Sequence, residues 1–350
     1  MRELTFIGKD AVEWREGDAP GLEGDGEAIV RPLAVATCDL DTAVIAGRVP
    51  VPPPFPLGHE CVAEVVEVGD SVSTVAPGDR VSVAFQISCG GCPSCLAGHT
   101  GNCTETPRLA MYGLPLGENW GGFLSDAVRV PYADAMLVEV PAGVDSAAAA
   151  SVSDNIVDAW RTVGPPLERS PGARVLVCGG AGSIDQYAVA IAAALGSERV
   201  DYLVGGGGLS GDGGRSARHR AAADLAERLG ANVIDEDEVP ERLGPYPITV
   251  DASADPDTLA CAIRSTEPDG VCTSIGIYYD PTTPVPLLEM YTKGITFQTG
   301  RVHARPAIPK VMELISEGRL DPVPVTRRTL SWEQAEALPE ERVKTVISRD

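Results

Sequence analysis

Eight side chains in this sequence have the types and spacing for metal chemistry, and they fall into two sets. In Cys89-Gly90-Gly91-Cys92-Pro93-Ser94-Cys95, closed by Cys103, four thiols follow one another at intervals of three, three and eight residues. The glycines and proline among them make a loop able to fold its sulfurs around one point. Four thiolates saturate tetrahedral Zn2+, so a site of this kind is structural and does no chemistry. Two disulfides or unlinked thiols are the competing readings of the same spacing. The second set is scattered: Cys38 in Thr37-Cys38-Asp39-Leu40-Asp41, His59 with Glu60 in Leu57-Gly58-His59-Glu60, and Asp154 in Ser153-Asp154-Asn155. One thiolate, one imidazole and one carboxylate suit Zn2+ with a fourth position left open, where the ion can act as a Lewis acid.

Two kinds of element must position these groups. Residues 1 to about 150 are rich in Val, Gly and Pro, with short apolar runs at 27–33, 61–68 and 80–85 punctuated by Gly69-Asp70 and Pro77-Gly78-Asp79. They predict a small, strongly bent β domain with the cysteine loop as an insertion. Beyond Ala147 the texture changes. Apolar spacing through Ile156, Ala159, Trp160 and Val163 predicts a helix. Then Val175-Leu176-Val177-Cys178 enters Gly179-Gly180-Ala181-Gly182, and an Ala-rich helical run follows from Tyr187. Strand, glycine turn and helix open a βαβ nucleotide-binding unit. Further strands are predicted at 200–204, 248–252, 271–277 and 296–299, with helices at 216–229 and 258–265; this alternation gives a parallel, doubly wound sheet. A helix at 308–317 and a strand at 345–348 are predicted to return to the first domain.

Composition limits the partners. A net charge of −22 argues against nucleic acid or an anionic membrane, which both demand a basic face. Only Lys9, Lys293, Lys310 and Lys344 among the 28 basic residues are lysines. No N-terminal run reads as a signal peptide and no apolar stretch is long enough to span a bilayer, so a soluble, cytoplasmic protein is expected. Nine cysteines agree with a reducing compartment.

Cys38 with Asp41 three residues on, Gly58-His59-Glu60, the four-cysteine loop, Gly121-Gly122-Phe123 before a strand and the glycine turn near residue 180 together resemble the zinc-dependent medium-chain alcohol dehydrogenases. The resemblance runs in order over essentially the whole chain. It implies an α/β fold, a GroES-like β domain plus a Rossmann domain. The GroES-like domain would span residues 1–153 with the zinc lobe at 85–105, the Rossmann domain 154–300, and residues 301–350 would return to the first. It further implies a catalytic zinc in the cleft, held by Cys38, His59 and Asp154 with Glu60 as ligand or support, and a structural zinc on Cys89, Cys92, Cys95 and Cys103. Asp41 would hold His59 or a nearby Arg, and Phe85 would wall the pocket. The coenzyme, NAD or NADP, would lie on Gly180, Gly182, Ser183 and Ile184, with Arg215 and Lys344 reaching its phosphates. Zinc would lower the pKa of a substrate hydroxyl, and hydride would pass to the nicotinamide. The implied substrate is a small alcohol or carbonyl compound, a polyol or sugar-like one among the candidates, and the implied assembly is a dimer or tetramer.

Departures from the family pattern keep a second reading open. Leu40 and Ala43 stand where relatives place a proton relay of Ser or Thr and His. The fingerprint Gly180-Ala181-Gly182-Ser183-Ile184-Asp185 has Asp in place of its third glycine, and the strand at 200–204 ends in Val204-Gly205 without an acid for the ribose. Loss of that acid with Arg215, Arg218 and Arg220 following favours NADP. The erosion of relay and loop also suits a non-redox zinc enzyme, a lyase or epimerase, on the same scaffold.

Overall fold

The computed structural model describes residues 1–205, 217–341 and 343–349. The chain forms two compact units, Met1–Val157 with Val302–Asp350, and Asp158–Arg301. The boundary at Val157 falls inside the helix Asn155–Arg169.

In the first unit a sheet is built around the strand Ala28–Ala36. It pairs antiparallel with Glu60–Val68 on one side and with Thr345–Ser348 on the other. Pro32 has no N–H to donate and falls at an irregularity of the register between Pro32 and Ala34, where a central strand tolerates it. The register matters for the site: Ala36 faces Glu60 across one pair and Val346 across the other. One end of this sheet therefore carries Cys38 just past the first strand, His59 just before the second and Lys344 just before the third. The 3-10 turn Ala150–Ser153 delivers Asp154 to the same end. Ser153 Oγ accepts the Cys61 N–H at 2.9 Å, which ties that turn to the strand. The small side chains Ala34, Ala36, Ala150 and Val346 form the buried contact beneath it; bulkier residues there would lift the turn off the sheet.

The second unit is a six-stranded sheet whose strand pairings among the described residues are all parallel. Its spatial order is Asn232–Ile234, Val200–Val204, Val175–Gly179, Tyr246–Ala252, Thr266–Ser274, Thr296–Thr299. The order runs out from the first strand in one direction and then the other, so it reverses between Val175–Gly179 and Tyr246–Ala252, the switch point at which such sheets bind ligands. Leu176, Cys178, Leu203, Leu259, Ile263 and Cys272 make one buried core there. Fully burying each such aliphatic side chain contributes about 1.5–3 kcal/mol. The α/β fold with a GroES-like domain and a Rossmann sheet is thus as expected.

Details differ from the sequence reading. The strand predicted at 271–277 is Thr266–Ser274. Its first half carries an irregularity, with Asp269 at φ 61° and a register shift against Tyr246–Ala252. The helix predicted at 308–317 starts a turn earlier, at Ala304. Pro306 lies in its first turn, where the missing N–H has no intrahelical partner to lose.

Candidate metal and coenzyme sites

Cys38 is the N-cap of the helix Asp39–Ile45, its Sγ accepting the Leu40 N–H at 3.1 Å. Asp41 closes a capping box by accepting the Cys38 N–H at 2.8 Å. The same carboxylate lies 3.3 Å from His59 Nδ1, so one side chain fixes both the cap and the imidazole. That leaves His59 Nε2 facing inward, 3.1 Å from Cys38 Sγ and 3.4 Å from Asp154 Oδ2. The edges of a zinc tetrahedron with bonds of ~2.0–2.3 Å measure about 3.3–3.8 Å. Ligand atoms of Cys38, His59, Glu60 and Asp154 all lie within 4.8 Å of one another, and all four residues are buried. Glu60 Oε1 is buried without a hydrogen-bond donor among the described residues. An orphaned carboxylate oxygen beside a thiol, an imidazole and a second carboxylate is what a bound cation satisfies. The donor set therefore fits Zn2+.

Electrostatics agree. Burial pushes the Cys38 thiol up to about 12, against the opposing pull of His59. Burial likewise raises Glu60 to about 8, with Lys344 opposing. For His59 burial acts downward, yet Asp41, Cys38 and Asp154 outweigh it and raise the ring well above its ordinary value. Dry, acid-rich surroundings of this kind call for positive charge, and a divalent ion releases the thiol proton on binding.

The backbone behind His59 is as tightly specified. Gly58 stands at φ 95°, where a Cβ would fall 3.0 Å from Leu124 N, and a Cβ on Gly122 would meet Leu57 O at 2.3 Å. Phe123 N–H donates to Gly58 O at 2.9 Å. The motifs Gly58-His59-Glu60 and Gly121-Gly122-Phe123 are thus two faces of one junction. The Phe85 ring is 5.8 Å from the His59 ring.

Lys344, expected at the coenzyme phosphates, lies beside the candidate metal ligands. Its side chain is 4% exposed, and its Nζ donates to Glu60 Oε2 at 2.6 Å and Asn155 Oδ1 at 3.0 Å. A fully buried carboxylate needs a counter-charge, and Lys344 supplies it. Asn155 Nδ2 donates in turn to Asp154 Oδ2 at 3.2 Å, so one ammonium reaches two of the acidic groups. The sequence reading missed Asn155 altogether; its adjacency to Asp154 was the one available signal.

The four lobe sulfurs also lie within 4.8 Å of one another. All nine cysteines are free thiols, which removes the disulfide reading. Cys92 Sγ and Cys103 Sγ are 4.0 Å apart, against about 3.8 Å for a zinc–thiolate tetrahedron. Backbone N–H groups of Cys92, Cys95 and Cys89 point at the sulfurs of Cys89, Cys92 and Cys103 at 3.3–3.4 Å. Thr104 and neighbouring N–H groups pull the Cys92 thiol down to about 5. This set fits a closed Zn2+ site.

In the second unit the strand Val175–Gly179 enters the turn Gly180–Ser183 and the helix Ile184–Ala194. A Cβ on Gly180 would fall 2.8 Å from Ala252 O, so only glycine lets the turn cross the neighbouring strand end at the switch point. Ala181 takes φ 60° between Gly180 and Gly182. The turn and helix start fit a dinucleotide phosphate, with Asp185 as the departure. Arg215 lies outside the described residues; Arg218 Nη2 makes a long 3.4 Å contact with Ala181 O.

Residues 24–142 match the alcohol dehydrogenase GroES-like domain family. The chain is 26% identical over 335 residues to the probable zinc-binding alcohol dehydrogenase of Mycobacterium tuberculosis, covering 96% of this chain and 83% of that one. Over 149 residues it is 36% identical to the glutathione-independent formaldehyde dehydrogenase of Pseudomonas aeruginosa, 40% of this chain but only 37% of that relative. The solved alcohol dehydrogenase TADH from Thermus sp. ATN1 superposes with a TM-score of 0.86 at 27% identity, with both chains covered completely. Residues 24–142 thus carry the alcohol dehydrogenase GroES-like domain, and the likeness to zinc-type alcohol dehydrogenases runs over nearly the whole chain. These likenesses support a zinc-dependent oxidoreductase that uses NAD(P), and they favour the redox reading over the lyase or epimerase one.

Proposed function

We propose that this chain interconverts a small primary or secondary alcohol, polyols and sugar-like alcohols included, and its carbonyl form at a zinc held by Cys38, His59 and Asp154, with Glu60 Oε1 the fourth candidate ligand. The observation that carries the proposal is the convergence of these four buried groups around one point, with an oxygen of Glu60 otherwise unsatisfied. When bound, zinc supplies a Lewis acid that makes a substrate hydroxyl easier to ionise, and NAD(P) supplies the hydride acceptor. The protein's own part is positional. Asp41 sets the ring orientation of His59. Lys344 draws on Glu60 through Oε2 and steadies Asp154 through Asn155, so the two carboxylates are held by one ammonium. Phe85 packs its ring against that of His59, 5.8 Å between centroids. With Leu40 and Ala43 in place of relay residues, proton exit falls to Glu60, Asp39 or solvent.

The coenzyme is proposed to lie on Gly180, Gly182, Ser183 and Ile184. No acid ends the strand Val200–Val204, and the Arg218 guanidinium touches the turn, which supports NADP over NAD. The test is direct: zinc-loaded protein with an alcohol panel should generate reduced-nicotinamide absorbance, faster with NADP. A broad panel silent with both coenzymes would sink the proposal.

No helix among the described residues is long and apolar enough to cross a membrane. Free thiols throughout support a reducing, cytoplasmic location. A homo-oligomer is also proposed. The edge strand Thr296–Thr299 has one paired side, and the adjoining helix Leu287–Lys293 buries none of its residues and shows Leu288 at 76% and Tyr291 at 83% exposure. Light scattering should give a native mass of two or four chains; a monomer would refute it.

A further inference from the structure

The third glycine of the dinucleotide fingerprint is Asp185, and the structure shows what its side chain does. Asp185 is the second residue of the helix Ile184–Ala194 and is 1% exposed. Its Oδ1 accepts the Gln186 N–H at 2.8 Å, and its Oδ2 accepts the Tyr202 hydroxyl at 2.9 Å. Tyr202 comes from the strand Val200–Val204 and is also buried. Its hydroxyl crowds the end of the first strand so closely that a Cβ on Gly179 would fall 2.0 Å from it. The pair therefore joins the helix start to the strand beside it, directly under the glycine turn.

A helix start ordinarily offers its unpaired N–H groups and about half a positive charge to a phosphate. Here one of those N–H groups already has an anionic partner, and a fixed carboxylate stands at the positive pole. Burial and the Asp185 charge both push the Tyr202 phenol upward, so it remains a donor and keeps the carboxylate in place.

We propose that Asp185, clamped by Tyr202, is an affinity-setting residue of the coenzyme site that opposes the dinucleotide's diphosphate and holds its binding weak. The inference rests on the NAD(P) reading above and adds the direction in which this chain departs from it. Both coenzymes share the diphosphate, so NADH and NADPH are affected alike. Adenosine, which has no phosphate, is not affected.

The experiment is fluorescence or calorimetric titration of zinc-loaded wild type, Asp185→Asn and Tyr202→Phe with NADH, NADPH and adenosine. Asp185→Asn keeps a hydrogen-bond acceptor but removes the charge, and should tighten both coenzymes about tenfold while leaving adenosine unchanged. Tyr202→Phe retains the charge and should bind within about threefold of wild type while melting lower, because it removes a buried hydrogen bond. Should Asp185→Asn not fold, the double variant Asp185→Gly with Tyr202→Phe restores the glycine and should show the same tightening. Equal or weaker coenzyme binding by the charge-free variants overturns the inference and leaves the coenzyme reading intact. No binding by any form removes both.

Discussion

Cys38→Ser is expected to cut kcat/KM by at least about a thousandfold while shifting the melting temperature by no more than a few degrees. The two halves of that result have separate causes. Cys38 caps the helix Asp39–Ile45 through its sulfur, and Asp41 answers through the backbone N–H of residue 38. Serine is among the best N-cap residues and nearly the same size, so the substitution keeps the cap and opens no cavity. The expected stability change is limited to the linkage of a lost ligand. A hydroxyl, however, does not replace a thiolate at zinc, and removing several kcal/mol of Lewis-acid stabilisation amounts to a factor of ten per ~1.4 kcal/mol. Metal analysis should fall from two zinc ions per chain to one. Retention of both ions and of activity would show that Cys38 is a capping residue only.

Much of this arrangement is legible in the sequence, though not evenly. The cysteine loop declares itself because its four ligands are close in sequence. Cys38, His59 and Asp154 do not, since each alone is an ordinary buried residue type; their order along the chain became informative only through the resemblance. Lys344 shows the limit of that route. The resemblance sent it to the coenzyme, whereas its partner Glu60 lies 284 residues away and is reached through strand register. No local pattern carries register across three strands. The double duty of Asp41 was half readable, because an acid three residues after an N-cap predicts a capping box but not the imidazole it also orients.

The strand Thr266–Ser274 was misjudged for a similar reason. Pro-Asp-Gly is strong turn chemistry locally, and the strand keeps it as a bulge: the ladder pairs Thr266 and then Val271–Ser274, passing over residues 267–270. Asp185 is visible as an anomaly in the fingerprint, but whether its carboxylate faces solvent or protein depends on Tyr202, 17 residues further along the chain and on another element.

Cys92→Ser should give the reverse pattern: a melting temperature lower by about 6–12 °C, with activity per folded molecule within about threefold of wild type. Cys92 is the hinge of its lobe. Its sulfur caps the short helix Pro93–Leu96, accepts the Cys95 N–H at 3.4 Å and lies 4.0 Å from Cys103, while its own N–H points at Cys89. Serine preserves the cap here too, so the loss isolates the metal. Structural zinc in small closed sites is worth about 10–16 kcal/mol of binding, much of it folding energy. Even a loss of ~3 kcal/mol within a unit of this size gives the stated drop. The consequence extends past the loop, because Gly101 N–H donates to His303 Nδ1 and Gln86 bridges Val302 O and Ala304 N at the start of the helix Ala304–Ser316. A Cβ on Gly101 would fall 2.6 Å from that glutamine, so the lobe has one seating and no tolerance for a loosened one. None of these contacts involves Cys38, His59, Glu60 or Asp154, which is why activity should persist in the folded fraction. Calorimetry paired with active-site titration separates the two quantities. If Cys92→Ser abolishes turnover at an unchanged melting temperature, the roles of the two zinc sites are the wrong way round.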